Sequence, residues 1–328
     1  MSRALRVLLK ILGYGALSIV ALIVVALIVI FLFFPRKEEP SAEVIERTPE
    51  RLARGEYLVN HVASCMVCHS ERDWGIYSAP VDPATAGQGT YVTLFGEPYA
   101  NSANLTPFGL GDWSDGEVVR AITAGVKKDG SPVHPLMSFD TYAKMGEEDV
   151  KAVVAYLRTL KPIERTPPPN ELNFLFTIVS RIIPKPWEPQ PVPSRTDKVA
   201  YGRYLVEMAE CGVCHRGTME GGRKQTVPAE GGATVMSANL TPDPTGIGGW
   251  SRENFIGAFK AFTSEDSRRI ATQPGQNTVM PWVQYAGMTE EDLGAIYDYL
   301  RTLPPVKKQI PVSSRPANAP PPALAPAR

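Results

Sequence analysis

Cysteine and histidine are scarce in this 328-residue chain, which has only four of each. The cysteines form two Cys-x-x-Cys pairs, and a histidine directly follows each pair: Cys65, Cys68 and His69, then Cys211, Cys214 and His215. So few cysteines exclude a disulfide-rich scaffold. Positive charge is not in excess either, since 34 Lys and Arg balance 34 Asp and Glu. Nucleic-acid binding requires a basic surface, so we expect no nucleic-acid partner.

Charge is absent from residues 11–34, which are 24 consecutive uncharged and mostly apolar positions. As a helix this segment would be about 36 Å long, enough to cross a hydrocarbon core of roughly 30 Å. A secretory signal has a shorter apolar region, of about 7–15 residues. We therefore predict a transmembrane anchor at 11–34 with residues 1–10 in the cytoplasm, and a removed signal is the alternative. Basic residues flank both ends of the segment and leave its orientation open at this point.

The rest of the chain contains an internal repeat at the scale of a domain. Both copies carry, in the same order, Gly-x-Tyr-Leu-Val, Cys-x-Val-Cys-His, Ser-Ala-Asn-Leu-Thr-Pro, Trp-Ser, a methionine and Tyr-Leu-Arg-Thr-Leu. Spacings that differ between the copies are assigned to surface loops. We predict domains at 50–162 and 198–305, a proline-rich linker at 163–197 and a disordered tail at 306–328.

Helix signals dominate both copies. Ser114-x-x-Glu117 is a capping box, and Ser251 occupies the equivalent place in the second copy. Thr289 precedes the last helix, whose apolar residues recur at helical spacing. Strand signals are weak, so the predicted fold is all-α. The linker segment 172–183 is too short to span a bilayer, and we favour packing between the domains over contact with the membrane surface.

Cys-x-x-Cys-His is the attachment signature of c-type haem. On one helical turn the two sulfurs face the same side, where they can form thioethers with the haem vinyl groups, and the histidine can reach the iron. A zinc site would leave the adjacent histidines unexplained, and a redox dithiol needs a βαβ setting that the sequence lacks. Two such motifs at matching places predict two covalently bound haem c groups. Because c-type haem is attached outside the cytoplasm, the domains are expected in the periplasm.

These motifs carry a resemblance to a known family. Each repeat resembles a class I cytochrome c domain, with Gly-x-Tyr-Leu before the haem motif and Asn-Leu-Thr-Pro after it. The Asn-Leu-Thr-Pro, Trp-Ser and Met-Pro elements are most similar to the cytochrome subunits of bacterial membrane-bound dehydrogenases, such as the quinoprotein alcohol dehydrogenases. The resemblance covers about residues 50–305. Those subunits usually have three haem motifs, whereas this chain has two.

The sixth iron ligand has two pairs of aligned candidates. Met137 and Met280 lie in proline-containing loops, whereas Met145 and Met288 lie at the edge of the last helix, where packing is the commoner role. We predict Met137 and Met280, in agreement with the resemblance. His134 is the alternative for the first haem, and His61 is less suitable because it precedes Cys65 on the proximal side. Trp113 and Trp250 are expected either to donate to a haem propionate or to pack on the ring edge.

Histidine and methionine together fill both axial positions, which leaves the iron no open site for a substrate. The predicted function is electron transfer and not catalysis. Expected partners are a dehydrogenase or quinol-oxidising complex as donor and an oxidase or soluble cytochrome as acceptor. The expected location is the bacterial inner membrane, with one span and periplasmic haem domains. The alternative is a dihaem peroxidase-like enzyme with one open haem site.

Overall fold

A computed structural model describes residues 2–36, 38–92, 100–228, 234–273 and 275–311. Helix α1 (Arg3–Phe33) begins after the N-cap Ser2, eight residues before the predicted apolar segment. None of its residues is buried against the rest of the protein. Among the described residues it is the one helix that is long and apolar enough to cross a membrane.

Two domains follow α1, and their longer helices, haem-motif helices and strand pairs recur in the same order. The first domain contains α2 (Pro49–Tyr57), a π-helical turn (Leu58–Val62), α3 (Met66–His69), a 3₁₀ turn (Pro83–Thr85), β1 (Tyr91–Val92), β2 (Ala100–Asn101), α4 (Pro107–Leu110), α5 (Asp115–Ala124), α6 (Phe139–Tyr142) and α7 (Glu147–Leu157). Helix α8 (Phe174–Ile182) lies in the connecting segment. The second domain contains α9 (Lys198–Met208), α10 (Cys211–His215), β3 (Lys224–Thr226), β4 (Thr234–Met236), α11 (Arg252–Lys260), a 3₁₀ turn (Asp266–Arg269), α12 (Trp282–Tyr285) and α13 (Glu290–Leu300).

The predicted helix starts are confirmed. Ser114 and Ser251 form capping boxes at the starts of α5 and α11, and the Thr289 side chain accepts a hydrogen bond at the start of α13. These side chains satisfy backbone N–H groups that the first helical turn leaves free. Three helix starts, one in the first copy and two in the second, can therefore be assigned from local chemistry alone.

Two short antiparallel sheets correct the all-α prediction. In the first domain β1 pairs with β2, with Tyr91 opposite Asn101. In the second domain β3 pairs with β4, with Lys224 opposite Met236. Strands of two or three residues are too short to show the alternation of apolar and polar residues that identifies a strand in sequence.

Each domain is held by a crossing of its first and last helices. Helix α2 packs across α7, and α9 packs across α13. The crossings require glycine, because a Cβ atom on Gly55 would collide with the carbonyl group of Ala152, and one on Gly202 would collide with that of Ala295. The repeated Gly-x-Tyr-Leu motif is therefore a close-approach motif between two helices.

The π-helical turn explains a one-residue difference between the copies. Cys65 follows Gly55 by ten positions, whereas Cys211 follows Gly202 by nine. The Ala63 amide donates to the Leu58 carbonyl at 2.8 Å, a bond that spans five residues and not four. The extra residue is thus accommodated inside the helix without displacing the haem motif.

The two domains share a reciprocal contact. The Tyr57 hydroxyl donates to Asp292 of the second domain at 2.8 Å, and the Tyr204 hydroxyl donates to Asp149 of the first at 2.7 Å. Burial raises the pKa of both tyrosine hydroxyls, and the neighbouring carboxylates add to that rise, so both remain protonated donors. The buried apolar side chains of both domains also form one continuous cluster. The domains are therefore two halves of a single packed body.

The linker and the tail differ from the predictions for them. Helix α8 packs against the end of α1, and Ser180 is its one buried residue. The prediction that residues 172–183 pack between the domains is therefore wrong. The tail predicted to be disordered from residue 306 begins with ordered chain, because the carbonyls of Val306 and Lys308 accept hydrogen bonds from Asn239. Residues 312–328 of that tail lie outside the described residues.

Candidate functional site

The two Cys-x-x-Cys-His motifs form the short helices α3 and α10. None of these four cysteines forms a disulfide. Desolvation is the main cause that raises the pKa of Cys65 to about 12 and of Cys68 to about 11, and Cys211 and Cys214 shift in the same direction. A reactive dithiol needs a lowered pKa, so these pairs do not fit redox exchange. No three His, Cys, Asp or Glu side chains cluster as metal ligands in the described parts of the chain, which disfavours zinc.

The histidines of both motifs are oriented in the same way. His69 Nδ1 lies 2.8 Å from the Ala103 carbonyl, and His215 Nδ1 lies 2.7 Å from the Ala238 carbonyl. A carbonyl can only accept, so Nδ1 carries the proton and Nε2 keeps its lone pair for a metal. Desolvation lowers the pKa of both imidazoles, which favours the neutral form that binds metal. Both histidines therefore fit the proximal ligand of a haem iron.

The Ser-Ala-Asn-Leu-Thr-Pro motif supplies the Ala103 and Ala238 carbonyls that orient the histidines. This role was not predicted from the sequence. The asparagine after each alanine fixes the loop. Asn104 Oδ1 accepts from the Thr106 amide and hydroxyl, while its Nδ2 donates to the Ile163 and Arg165 carbonyls. Asn239 makes the equivalent bonds with Thr241, Val306 and Lys308. The recurrence of the motif in both copies, between the haem motif and the methionine, was the available signal.

The predicted sixth ligands occupy equivalent loops just before α6 and α12. Met137 and Met280 are half-buried, whereas Met145 and Met288 are fully buried in the apolar core. The carbonyl of Met137 accepts from the Phe139 amide at 2.8 Å, and that of Met280 accepts from the Trp282 amide at 2.9 Å. Met145 and Met288 thus pack in the apolar core, and Met137 and Met280 remain the candidate ligands.

The two other histidines differ in which ring nitrogen carries the proton. His134 Nδ1 accepts a hydrogen bond from the Leu136 amide at 3.1 Å, so in the neutral ring the proton lies on Nε2. An Nε2 that carries a proton cannot ligate iron. His61 Nδ1 lies 2.9 Å from the Gln284 carbonyl, in the contact between the two domains. The hydrogen bond therefore disfavours His134 as a ligand, whereas His61 is disfavoured by its position before Cys65 on the proximal side.

Trp113 and Trp250 take part in hydrogen bonds through their backbones. The Trp113 carbonyl accepts from Arg158 and the Trp250 carbonyl from Tyr297, each at 2.6 Å. Both side chains are partly buried against the core. The choice between a propionate contact and ring-edge packing for their indoles stays a prediction.

Comparison with known proteins connects this geometry to a family. The family model for cytochrome c matches residues 52–161 and again residues 199–304. The chain belongs to the cytochrome c family. The two matched regions coincide with the two copies of the repeat, and each cytochrome c domain contains one Cys-x-x-Cys-His motif.

Curated relatives are named as cytochrome subunits. The fructose dehydrogenase cytochrome subunit of Gluconobacter japonicus is 30% identical over 77% of this chain and 52% of its own length. The alcohol dehydrogenase (quinone) cytochrome c subunit of Gluconacetobacter polyoxogenes is 27% identical over 77% and 56%. A diheme cytochrome c-type protein of Cereibacter sphaeroides is 28% identical over 57% and 63%. The chain thus spans about half the length of the dehydrogenase subunits it matches.

The residues present fit the prosthetic group of the family. Each domain offers two unpaired thiols on one helical turn and an imidazole whose Nε2 is free. This cytochrome c carries two covalently bound haem c groups, one for each motif, and the chemistry that they supply is one-electron transfer.

Proposed function

We propose that this cytochrome c is a membrane-anchored dihaem electron carrier that works as a subunit or partner of a dehydrogenase. Cys65 and Cys68 would attach the first haem, with His69 and Met137 as its axial ligands. Cys211 and Cys214 would attach the second, with His215 and Met280 as its axial ligands. Electrons would come from a dehydrogenase or quinol-oxidising complex and pass to an oxidase or soluble cytochrome.

The observation that carries this proposal is the matched histidine–methionine arrangement of the two domains. In both, a backbone carbonyl fixes the histidine tautomer, and a half-buried methionine lies in the loop before a short helix. With both axial positions filled, an iron can exchange electrons but cannot bind a substrate directly. The chain itself is then not an enzyme, and the chemistry belongs to its partner.

The names of the relatives support the proposed class of donor. Three of them are cytochrome subunits of dehydrogenases that act on fructose, alcohol and gluconate. The present chain has two haem motifs and spans about half the length of those subunits. We assign no substrate to the complex.

The membrane anchor is supported by how α1 is attached to the rest of the protein. The Arg181 guanidinium of α8 donates to the Phe34 carbonyl at 2.9 Å, and it lies over the Phe31 ring at 4.8 Å from the ring centroid. Contacts of this kind favour an anchor that stays in the mature protein over a removed signal. The haem domains would lie in the periplasm of a bacterial inner membrane.

Helix α8 would lie at the membrane surface beside the exit of α1. Phe174 and Leu175 are 64% and 66% exposed, and Ile182 is 46% exposed, in a helix that is joined to the end of the apolar anchor. Apolar side chains at that level are stabilised by the lipid headgroup region. This placement would fix the distance of the haem domains from the bilayer.

A labelling experiment tests the position of α8. All four native cysteines are thioether-bound in the mature protein, so Leu175→Cys would be the one reactive thiol. In liposomes that contain only this protein, we expect a membrane-impermeant maleimide to label Leu175→Cys at least tenfold more slowly than Phe108→Cys, whose side chain is exposed in the first domain. Equal labelling rates would show that α8 faces water.

Replacement of each methionine tests the ligand assignment. Met280→His should keep the covalent haem but remove one of two methionine–iron absorption bands in the far red. It should also lower the potential of one haem by on the order of 0.1–0.3 V, a part of the roughly 0.8 V range that axial ligands span. Met137→His should do the same to the other haem. If either variant retains both bands and both potentials, its methionine is not a ligand. Rapid cyanide binding by the wild-type protein would favour the peroxidase-like alternative.

A further inference from the structure

The longest difference in spacing between the copies follows the first haem motif. Ser102 follows His69 by 33 positions, whereas Ser237 follows His215 by 22. The additional residues include the loop at 72–81, here named the clasp loop. Within it Ser78 and Ala79 have φ angles of 69° and 41°, which an L-residue adopts only when its surroundings impose them. Both residues are fully buried, and Tyr77 before them is buried as well, so the middle of the clasp loop is not at the surface.

The clasp loop belongs to the first domain but packs on the second. The Tyr77 amide donates to the Ile270 carbonyl at 2.8 Å, and the Thr272 amide donates to the Gly75 carbonyl at 3.0 Å. The Tyr77 ring stacks on Phe262 at a centroid distance of 6.0 Å, and Phe262 stacks on Trp282 at 5.6 Å. Trp282 is two residues after Met280. The contact therefore reaches the loop that carries the candidate ligand of the second haem.

Two buried polar side chains join the clasp loop to that methionine. The Ser78 hydroxyl donates to the Met280 carbonyl at 2.8 Å, and the Ser78 amide donates to Asn277 Oδ1 at 2.8 Å. Asn277 Nδ2 donates to the carbonyls of Trp74 and Ile76 at 2.7 and 3.0 Å. Asn277 is 3% exposed. The Met280 carbonyl and the Asn277 side chain, three residues before it, are thus bound to the clasp loop by hydrogen bonds that cross between the domains.

The other end of the clasp loop is tied to the first haem motif. Arg72 lies three residues after His69, and its guanidinium donates to the Ser78 carbonyl at 2.9 Å and the Ala79 carbonyl at 2.8 Å. Arg72 therefore holds Ser78 in the conformation in which its hydroxyl faces Met280. Hydrogen bonds connect the proximal segment of the first haem to the distal loop of the second.

The first domain has no equivalent support for Met137. Among the described residues, the hydrogen bonds of the Met137 backbone are to His134 and Phe139, both in its own domain. The Met280 carbonyl has the equivalent bond, from the Trp282 amide, and the bond from Ser78 in addition.

We infer that Ser78 and Asn277 are positioning residues that hold Met280 on the iron of the second haem, so that the first domain completes the distal side of the second domain's haem. This inference rests on the proposed ligation by Met280. For the methionine to leave the iron, its loop must move, and movement of the loop breaks hydrogen bonds to the clasp loop. The second haem should therefore exchange its sixth ligand more slowly than the first.

The test is the rate at which cyanide displaces methionine from each ferric haem in the full-length protein. Loss of the far-red band follows the displacement of methionine from both haems. The Met280→His variant keeps methionine only at the first haem, so the phase that it still shows belongs to the first haem. We expect Ser78→Ala to accelerate the phase of the second haem about fivefold, equivalent to about 1 kcal/mol for one buried hydrogen bond, and to leave the first phase unchanged. Asn277→Ala removes more bonds and should accelerate it further.

The matched control is Ser267→Ala. Ser267 is a buried serine of the same region, and its hydroxyl donates to the Ser264 carbonyl at 2.8 Å, away from Met280. It should change neither phase. An unchanged second phase in both Ser78→Ala and Asn277→Ala would overturn the inference, as would equal acceleration of both phases. If Met280→His instead retains both bands, the ligand assignment itself is wrong.

Discussion

The two cytochrome c domains differ most in how they are tied to each other. Each places a buried carboxylate at the start of its last helix, where a tyrosine of the other domain donates to it. Asp149 also receives two bonds from Arg54, at 2.8 and 2.7 Å. Asp292 instead receives one bond at 3.2 Å from Arg195, which belongs to the linker and is 55% exposed. The last helix thus begins with a buried aspartate in both domains, but the arginine that pairs with it comes from the first helix in one domain and from the linker in the other.

For the loops that carry the methionines, the second domain has the stronger support. The loop of the second domain is fastened by the clasp loop of the first, whereas Met137 is held within its own domain. The first domain therefore has the stronger internal ion pair and the second has the better supported distal loop. Duplication followed by local change has thus made the methionine loop of the second domain depend on the first domain.

Removal of one haem gives the largest test of this asymmetry. Cys65→Ala with Cys68→Ala, and Cys211→Ala with Cys214→Ala, should each reduce the haem content from two to one for each polypeptide. Loss of the first haem should loosen the segment that holds the clasp loop, and so it should also weaken the methionine band of the second haem. Loss of the second should leave the band of the first at full strength. The pyridine haemochrome content and the far-red absorption measure the two effects.

The opposite pattern would contradict the asymmetry. If loss of the second haem weakens the remaining band while loss of the first does not, the dependence runs from the second domain to the first. If each double variant lacks both haems, the two domains do not mature independently.

The two carboxylates provide a smaller test. Asp149→Asn leaves the largely buried Arg54 guanidinium without its counter-charge, and we expect a loss of about 3 kcal/mol in the free energy of unfolding. Asp292→Asn should cost about 1.5 kcal/mol, because its cation is half-exposed and an amide oxygen still accepts from Tyr57. Guanidinium unfolding in detergent at neutral pH measures both.

Glu148→Gln is the control, since this neighbour of Asp149 is 65% exposed and should change stability by less than about 0.5 kcal/mol. Equal losses for Asp149→Asn and Asp292→Asn would show that the exchanged cation makes no energetic difference.

Much of the architecture follows from local sequence signals. The capping serines and the two haem motifs each act over a few residues, and the repeat shows that they recur. The sheets are too short to leave a signal. The role of Ala103 and Ala238 escaped prediction because a backbone carbonyl has no residue signature.

The contacts between the domains could not be predicted from local patterns. Differences in spacing after the haem motifs indicated loops, and loops are usually on the surface. The middle of the clasp loop, residues 77–79, is instead buried, because its partner is a region nearly 200 residues away in the chain, around Ile270 and Asn277. Buried polar residues such as Ser78 show their role only when that partner is in place.

The most direct test of the account is proton NMR of the fully reduced protein. A methionine bound to low-spin ferrous haem gives a methyl resonance shifted strongly upfield by the ring current. We predict two such resonances of three protons each, one lost in Met137→His and the other in Met280→His. A single resonance, or none, in a protein that contains two haems would contradict the assignment of two closed electron-transfer sites.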